Sequence, residues 1–212
     1  MRDWTFLNIA AYCVAILSSL SAATSFDQAV CQAASTQEIP RLCPPNTVVV
    51  GPAGSFKTIQ AAIHSIPKTS DPRVILIQPG VYYEQVNITQ KSPITLLGAT
   101  ISTKDASKNK VTILWRQATG TKETGNGDNA FTSVLTVSPT LQASLTGSGP
   151  TGYTVPAGTP FGNNDFRAYN IDFVNDFAPR SAGPSLAVSV SYANAGFYYC
   201  RIKSYQDTVS DL

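Results

Sequence analysis

Histidine occurs once in these 212 residues, as His64, so Ser-His-Asp or Cys-His chemistry would have to run through that position. It shares the polar side of a short helical pattern with Lys57 and Gln60, far in sequence from other candidate groups. An exposed surface histidine is the expected outcome. Zinc is not expected, because the cysteine spacings are wrong and only His64 could assist them. No Gly-rich phosphate loop and no dinucleotide fingerprint is present. Acid–base work therefore falls to carboxylates, which can serve near neutral pH when a groove is partly dry.

Two local patterns stand out. Gly80-Val81-Tyr82-Tyr83-Glu84 follows an aliphatic run, and Phe197-Tyr198-Tyr199-Cys200 leads into Tyr205-Gln206-Asp207-Thr208 near the end. Gln206 beside Asp207 places an amide donor for an oxyanion next to a proton carrier. The same tripeptide also suits a turn in which the aspartate caps backbone. Strand alternation predicts Tyr198, Cys200 and Ile202 on one face, with Tyr199, Arg201 and Lys203 on the other.

The elements that must position these residues are short. Phe56, Ile59, Ile63 and Ile66 recur at helical spacing, with Ser55 as the expected cap and Pro67 as the stop. After Val48-Val49-Val50, β-branched runs over 74–77, 94–97, 111–114, 134–137, 169–173, 186–190 and 197–202 predict strands. Most begin about 17 to 22 residues apart, a spacing that suggests a solenoid. Residues 144–164, rich in Gly, Pro, Ser and Thr, read as an excursion loop. Apolar residues at successive positions suit strands covered on both faces, and no helices alternate with them. An all-β, right-handed parallel β-helix with a short N-terminal capping helix is the predicted fold, with a β-sandwich as the alternative.

Only 13% of residues are charged and the net charge is +2, which offers no nucleic-acid footprint. Residues 6–23 are apolar or small and end in Ser21-Ala22-Ala23, so residues 1–23 read as a signal peptide. A secreted, extracellular product with no membrane association after cleavage follows. Residues 24–47 form an arm, and 48–212 the β-helix domain. Cys31 and Cys43 could form a disulfide in that setting, whereas Cys200 reads as a buried small hydrophobe. Asn87-Ile88-Thr89 is a glycosylation sequon.

Taken in order, several motifs resemble the pectin methylesterases, and most closely the fungal secreted type. They are Gly51-Pro52-Ala53-Gly54-Ser55-Phe56 leading into Ile59-Gln60-Ala61-Ala62-Ile63, then Gly80 to Glu84. Asn170-Ile171-Asp172-Phe173-Val174-Asn175, Ala182-Gly183-Pro184 before Ala187-Val188, and the Phe197 to Thr208 stretch complete the series. The resemblance implies a parallel β-helix that hydrolyses methyl esters of pectin, releasing methanol with two aspartates and no metal or cofactor. It implies that Asp207 protonates the departing methanol and then activates water, and that Gln206 helps hold the oxyanion. The partner implied is methyl-esterified polygalacturonan, and the expected state is a monomer.

Three departures qualify that expectation. The family's nucleophilic aspartate lies downstream of Gln-Asp-Thr, as do its substrate-binding arginine and tryptophan, and Asp211 matches neither place nor motif. Where the family commonly has a second glutamine donor before Ala-Val, this chain has Leu186. The chain is therefore expected to be a truncated form or fragment, inactive as written. The alternatives are a pectin-binding protein without turnover, and another β-helical pectin enzyme such as a lyase or glycosidase.

Overall fold

A computed structural model describes residues 26–33, 43–119, 127–147, 152–177 and 183–211. The expected signal peptide, residues 1–23, lies outside them. Among the described residues, no helix is long and apolar enough to cross a membrane.

The chain winds through four coils, each contributing one strand to each of three parallel sheets. The first coil holds β2 (Arg73–Ile77), β3 (Gly80–Tyr83) and β4 (Val86–Ile88). The second holds β5 (Ile94–Gly98), β6 (Val111–Trp115) and β7 (Leu135–Val137). The third holds β8 (Phe166–Tyr169), β9 (Ile171–Asn175) and β10 (Val188–Val190). The fourth holds β11 (Ala195–Tyr198), β12 (Arg201–Lys203) and β13 (Val209–Asp211). With β1 (Val48–Val50) at its edge, sheet A runs β1-β2-β5-β8-β11, sheet B runs β3-β6-β9-β12, and sheet C runs β4-β7-β10-β13. This is a parallel β-helix, as the sequence predicts.

Stacked registers turn the short aliphatic runs into one core. Ile75, Leu96 and Ala168 align in sheet A, Ile113 and Phe173 in sheet B, and Val86, Leu135 and Val188 in sheet C. All eight are fully buried. Each such aliphatic or aromatic side chain stabilises the fold by about 1.5–3 kcal/mol, so the interior of the coil supplies most of the cohesion. Helix α2 (Ile59–Ser65) plugs the first coil with Ile59, Ala62 and Ile63. Its cap is Thr58, whose hydroxyl accepts from the Ala61 N–H, and not Ser55. Glu84 explains why: its two carboxylate oxygens take the N–H groups of Ile59 and Gln60 at 2.8 and 2.9 Å, fixing the start there.

Two further expectations need correction. Among the predicted runs, the spacing of 17 to 22 residues matches a coil repeat only from β2 to β5, where Arg73 pairs with Ile94. The runs at 94–97, 111–114 and 134–137 are β5, β6 and β7, three sides of one coil. The stretches 169–173 and 197–202 are not continuous strands either. Asn170 and Tyr199 have φ of 54° and 52°, so each turns the chain from sheet A to sheet B. The turn resets alternation, which is why the predicted two-face pattern from Tyr198 to Lys203 does not hold.

The arm contributes a helix the sequence did not predict, α1 (Gln28–Ala33), with Cys31 bonded to Cys43. Both cysteines pack on Val74, Leu76, Leu97 and Ala99, covering the outer face of sheet A. Closing a loop of this length contributes about 3 kcal/mol. Buried Gln32 donates to the Gly98 carbonyl at 2.7 Å and to Asn170 Oδ1 at 3.0 Å, keying the arm into the sheet A–B corner. Gly98 must be glycine there, because a Cβ would lie 2.2 Å from the Asn170 carbonyl oxygen.

Candidate functional site

The Gln206-Asp207-Thr208 turn joins β12 to β13 and is held mainly by its backbone. The Gln206 carbonyl accepts from the Ser185 N–H at 3.1 Å, and the Thr208 carbonyl accepts from Ala187 and Val188 at 3.0 and 3.2 Å. Ser204 Oγ donates to the Gln206 carbonyl at 3.2 Å and to Thr208 Oγ1 at 2.9 Å. Asp207 itself adopts φ of 52°, which swings its side chain out of the strand direction. Gln206 and Asp207 are both exposed, and among the described residues no donor occupies the Asp207 carboxylate. Amide and carboxylate thus sit side by side on a pinned backbone, open to a ligand.

Beneath this turn lies the preceding coil. The Ser185 and Ala187 N–H groups bond the Gln206 and Thr208 carbonyls, so Leu186, between them, falls under Asp207. Leu186 is buried, its N–H donates to Thr132 Oγ1 at 2.9 Å, and it offers no side-chain donor. The structure therefore puts a hydrocarbon where the resemblance would call for a second amide.

Asn175 is the residue that sequence reasoning missed. Fully buried, it directs its amide hydrogens at the carbonyls of Gln117, Thr132 and Leu186, at 2.9, 2.9 and 3.0 Å. Its Oδ1 accepts from the Gln117 and Phe177 N–H groups, each at 3.3 Å. One side chain thereby ties the second and third coils together at the sheet B–C corner. Asp128 does comparable work for the loop that follows β7. It is fully buried and accepts from the N–H groups of Ala130, Thr146 and Tyr153. The only signal in the sequence was the Asn at the end of the Asn170 to Asn175 motif, and spacing alone does not assign it this role.

The outer face of sheet B adjoins the turn. Register aligns Val81, Thr112, Asp172 and Arg201 in one column, and Tyr83, Leu114, Val174 and Lys203 in the next. Arg201 forms a two-point ion pair with the buried Asp172, which Asn109 also contacts at 2.8 Å. Hydrogen bonding to Asp172 holds the Arg201 guanidinium even higher than its usual range. Further down, Tyr83 leans on Trp115 with ring centroids 5.2 Å apart. Tyr83 and Val81 are 59% and 69% exposed, so the lower face is an apolar platform. Arg116 pairs with Asp176 through two bonds of 2.7 and 2.8 Å at the corner nearest Asp207.

The other sequence candidates fall elsewhere. Glu84 is occupied with the helix start, and Tyr82 donates to the Gln78 carbonyl at 2.8 Å, with burial, then Glu84, raising its phenol. His64 is exposed on α2 at the opposite end of the coil stack, next to Gln60 at 2.9 Å. His64→Ala should accordingly change turnover less than twofold in a methanol-release assay, and a hundredfold loss would restore a histidine mechanism. Cys200 is partly buried, with its thiol pushed up to about 11 by desolvation. It should stay protonated through pH 9, so iodoacetamide followed by mass spectrometry should label the native thiol more than tenfold slower than free cysteine. Equal labelling rates at pH 8 would contradict its packing.

No family model matches the chain. Pectinesterase A of Emericella nidulans is 28% identical over 166 residues, 78% of this chain and 42% of that protein. A probable pectinesterase of Arabidopsis thaliana is 31% identical over 164 residues, 74% of this chain and 35% of that protein. The pectin methylesterase from Aspergillus niger superposes with a TM-score of 0.60 at 23% identity, covering 79% of this chain and 46% of that one. Pectin methylesterase PemA from Erwinia chrysanthemi gives 0.57 at 25% identity, over 80% and 46%. A pectin methylesterase solved in complex with a hexasaccharide matches with the same score and coverage. The chain spans less than half the length of the curated relatives it matches.

Proposed function

We propose, for a chain that belongs to the pectin methylesterase family, that it takes part in hydrolysing the methyl esters of polygalacturonan, releasing methanol. The observation that carries this is the pinned Gln206-Asp207 turn, with both side chains open beside the outer face of sheet B. Asp207 gives its proton to the departing methanol and then takes one from the attacking water, so it ends each cycle as it began. The Gln206 amide donates to the oxyanion that forms on the ester carbonyl. The carboxylate that attacks the carbonyl belongs, by resemblance, to the coil that would stack above β13. Solved relatives carry sugar oligomers, and the Tyr83–Trp115 platform with its neighbouring columns offers sugar rings an apolar bed.

Secretion fits the same proposal. The Cys31–Cys43 disulfide suits an oxidising compartment, and Asn87 of the sequon is partly exposed in β4. The test is methanol release from highly esterified pectin, with unsaturated products and new reducing ends followed in parallel. Methanol alone supports the esterase. Unsaturated ends would mean a lyase, and new reducing ends a glycosidase.

Pectin binding without turnover is the second reading, and one observation favours it. Leu186 lies under Asp207 where an amide would strengthen the oxyanion site. Loss of one such donor costs about 10²–10³ in rate.

A further inference from the structure

A cavity lies at the corner between sheets A and B, across the width of sheet B from Asp207. It measures about 370 Å³, within the range of about 300–1,000 Å³ that ligand sites occupy, and is lined by Pro79, Ala99, Thr100, Ile101, Ser102, Lys108 and Lys110. We propose that this cavity binds the free carboxylates of a de-esterified uronic-acid chain. The inference rests on the esterase reading, because such a chain is that reaction's product.

Charge is the first argument. Two ammonium groups flank the cavity, and no carboxylate lines it. Among the described residues, none lies within ion-pair distance of Lys108 or Lys110. Asp105, the acid closest in sequence, is bonded locally: its Oδ1 accepts from the Ser107 N–H at 2.9 Å and the Ser107 hydroxyl at 2.6 Å, and these bonds, with a smaller pull from the Lys108 charge, hold its carboxyl below the usual range.

Construction is the second. Both lysines spring from a fixed backbone. Lys108 closes the 3-10 turn Ala106–Lys108 capped by Asp105, and the Lys110 carbonyl accepts from the Gly80 N–H at 2.9 Å. The floor is equally fixed. Thr100 is buried, its N–H donates to the Gln32 carbonyl at 3.1 Å, and its Oγ1 accepts from the Ser102 N–H at 3.0 Å. Such a frame gives the ammonium groups a limited set of positions.

Composition of the wall is the third. Ile101 is 87% exposed at the rim, with Pro79 and Ala99 beside it, and Ser102 offers a hydroxyl. A uronate ring presents an apolar C–H face, hydroxyls and one carboxylate per residue, and each finds a counterpart here. An esterified residue carries no charge for the lysines. Another cavity, lined by Lys68, Thr69 and Lys91, lacks this arrangement, because Thr69 Oγ1 lies 3.5 Å from the carboxylate of Asp71.

The test is titration of the 212-residue chain with short oligogalacturonates, fully methyl-esterified oligomers of equal length, polyglutamate and inorganic phosphate. Oligogalacturonate should bind at low salt and weaken as ionic strength rises. Lys108→Ala/Lys110→Ala should weaken that binding roughly tenfold and leave the esterified oligomer's binding unchanged. Ile101→Ser, which keeps both charges, should weaken it about twofold by removing apolar contact. Circular dichroism confirms that each variant keeps the parent fold. Parent-like binding of oligogalacturonate by the double variant would overturn the site. So would lysine-dependent binding of polyglutamate or phosphate at equal strength, which would mean a general anion patch. Methanol release is measured separately on the native protein. Its absence together with lysine-dependent oligogalacturonate binding would fell the esterase reading and leave the site, whereas the opposite pair would fell the site alone.

Discussion

Asp207→Asn, made in a full-length form that carries the family's nucleophilic aspartate, should lower methanol release by about 10³, within the range a general acid–base group supplies, while leaving the melting temperature unchanged. The turn is held by backbone carbonyls at Gln206 and Thr208 and by the Ser204 hydroxyl, none of which uses the Asp207 side chain. Asparagine keeps the shape and can donate a hydrogen bond, but it cannot give up and regain a proton. Binding of esterified oligomers should therefore survive, and the loss should fall on kcat with KM nearly constant. Gln206→Ala should cost about 10²–10³ by removing an oxyanion donor. If Asp207→Asn retained a tenth or more of parental turnover, Asp207 would be a turn residue only.

Asn175→Ala should be the most destabilising single substitution at the site, by about 4 kcal/mol. It strands the Gln117, Thr132 and Leu186 carbonyls in a buried corner and leaves a void. In a domain of this size that is a fall of about 10 °C in melting temperature, readable by calorimetry. Turnover should fall as well, because Leu186 forms the layer on which the Asp207 turn rests. Asn175→Asp should not rescue stability, since it trades two amide hydrogens for a buried charge facing three carbonyl oxygens. A shift below about 2 °C for Asn175→Ala would show that water replaces the amide without loss.

The strands were legible because each aliphatic run is buried on its coil-facing side, whether or not its other side is covered. Val74, Leu76 and Leu97 read as apolar for a second reason, the arm that covers sheet A, and that arm could be seen only as a pair of cysteines. The corners were not legible. Asn170 and Tyr199 turn the chain with a single left-handed residue, and neither is a glycine that would announce it. Ser55 looked like a helix cap because local pattern favoured it, whereas Glu84, distant in sequence, decides where the helix begins.

At the site, Gln206 and Asp207 could be picked out in the sequence as a candidate donor beside a candidate proton carrier, although the same tripeptide also suits a turn. Their support could not. Asn175 and Asp128 work through backbone groups brought together from coils 11 to 58 residues away, and no spacing rule encodes such contacts. Leu186 is the reverse case: the departure from the family pattern was visible in sequence, and the fold gives it a location beneath Asp207.

The most direct measurement is the product spectrum of the native protein, purified as its cells make it, acting on highly methyl-esterified polygalacturonan. The account predicts methanol and free carboxylate in equal amounts, with chain length unchanged and no requirement for His64. Unsaturated ends, new reducing ends, or binding without any methanol would contradict it.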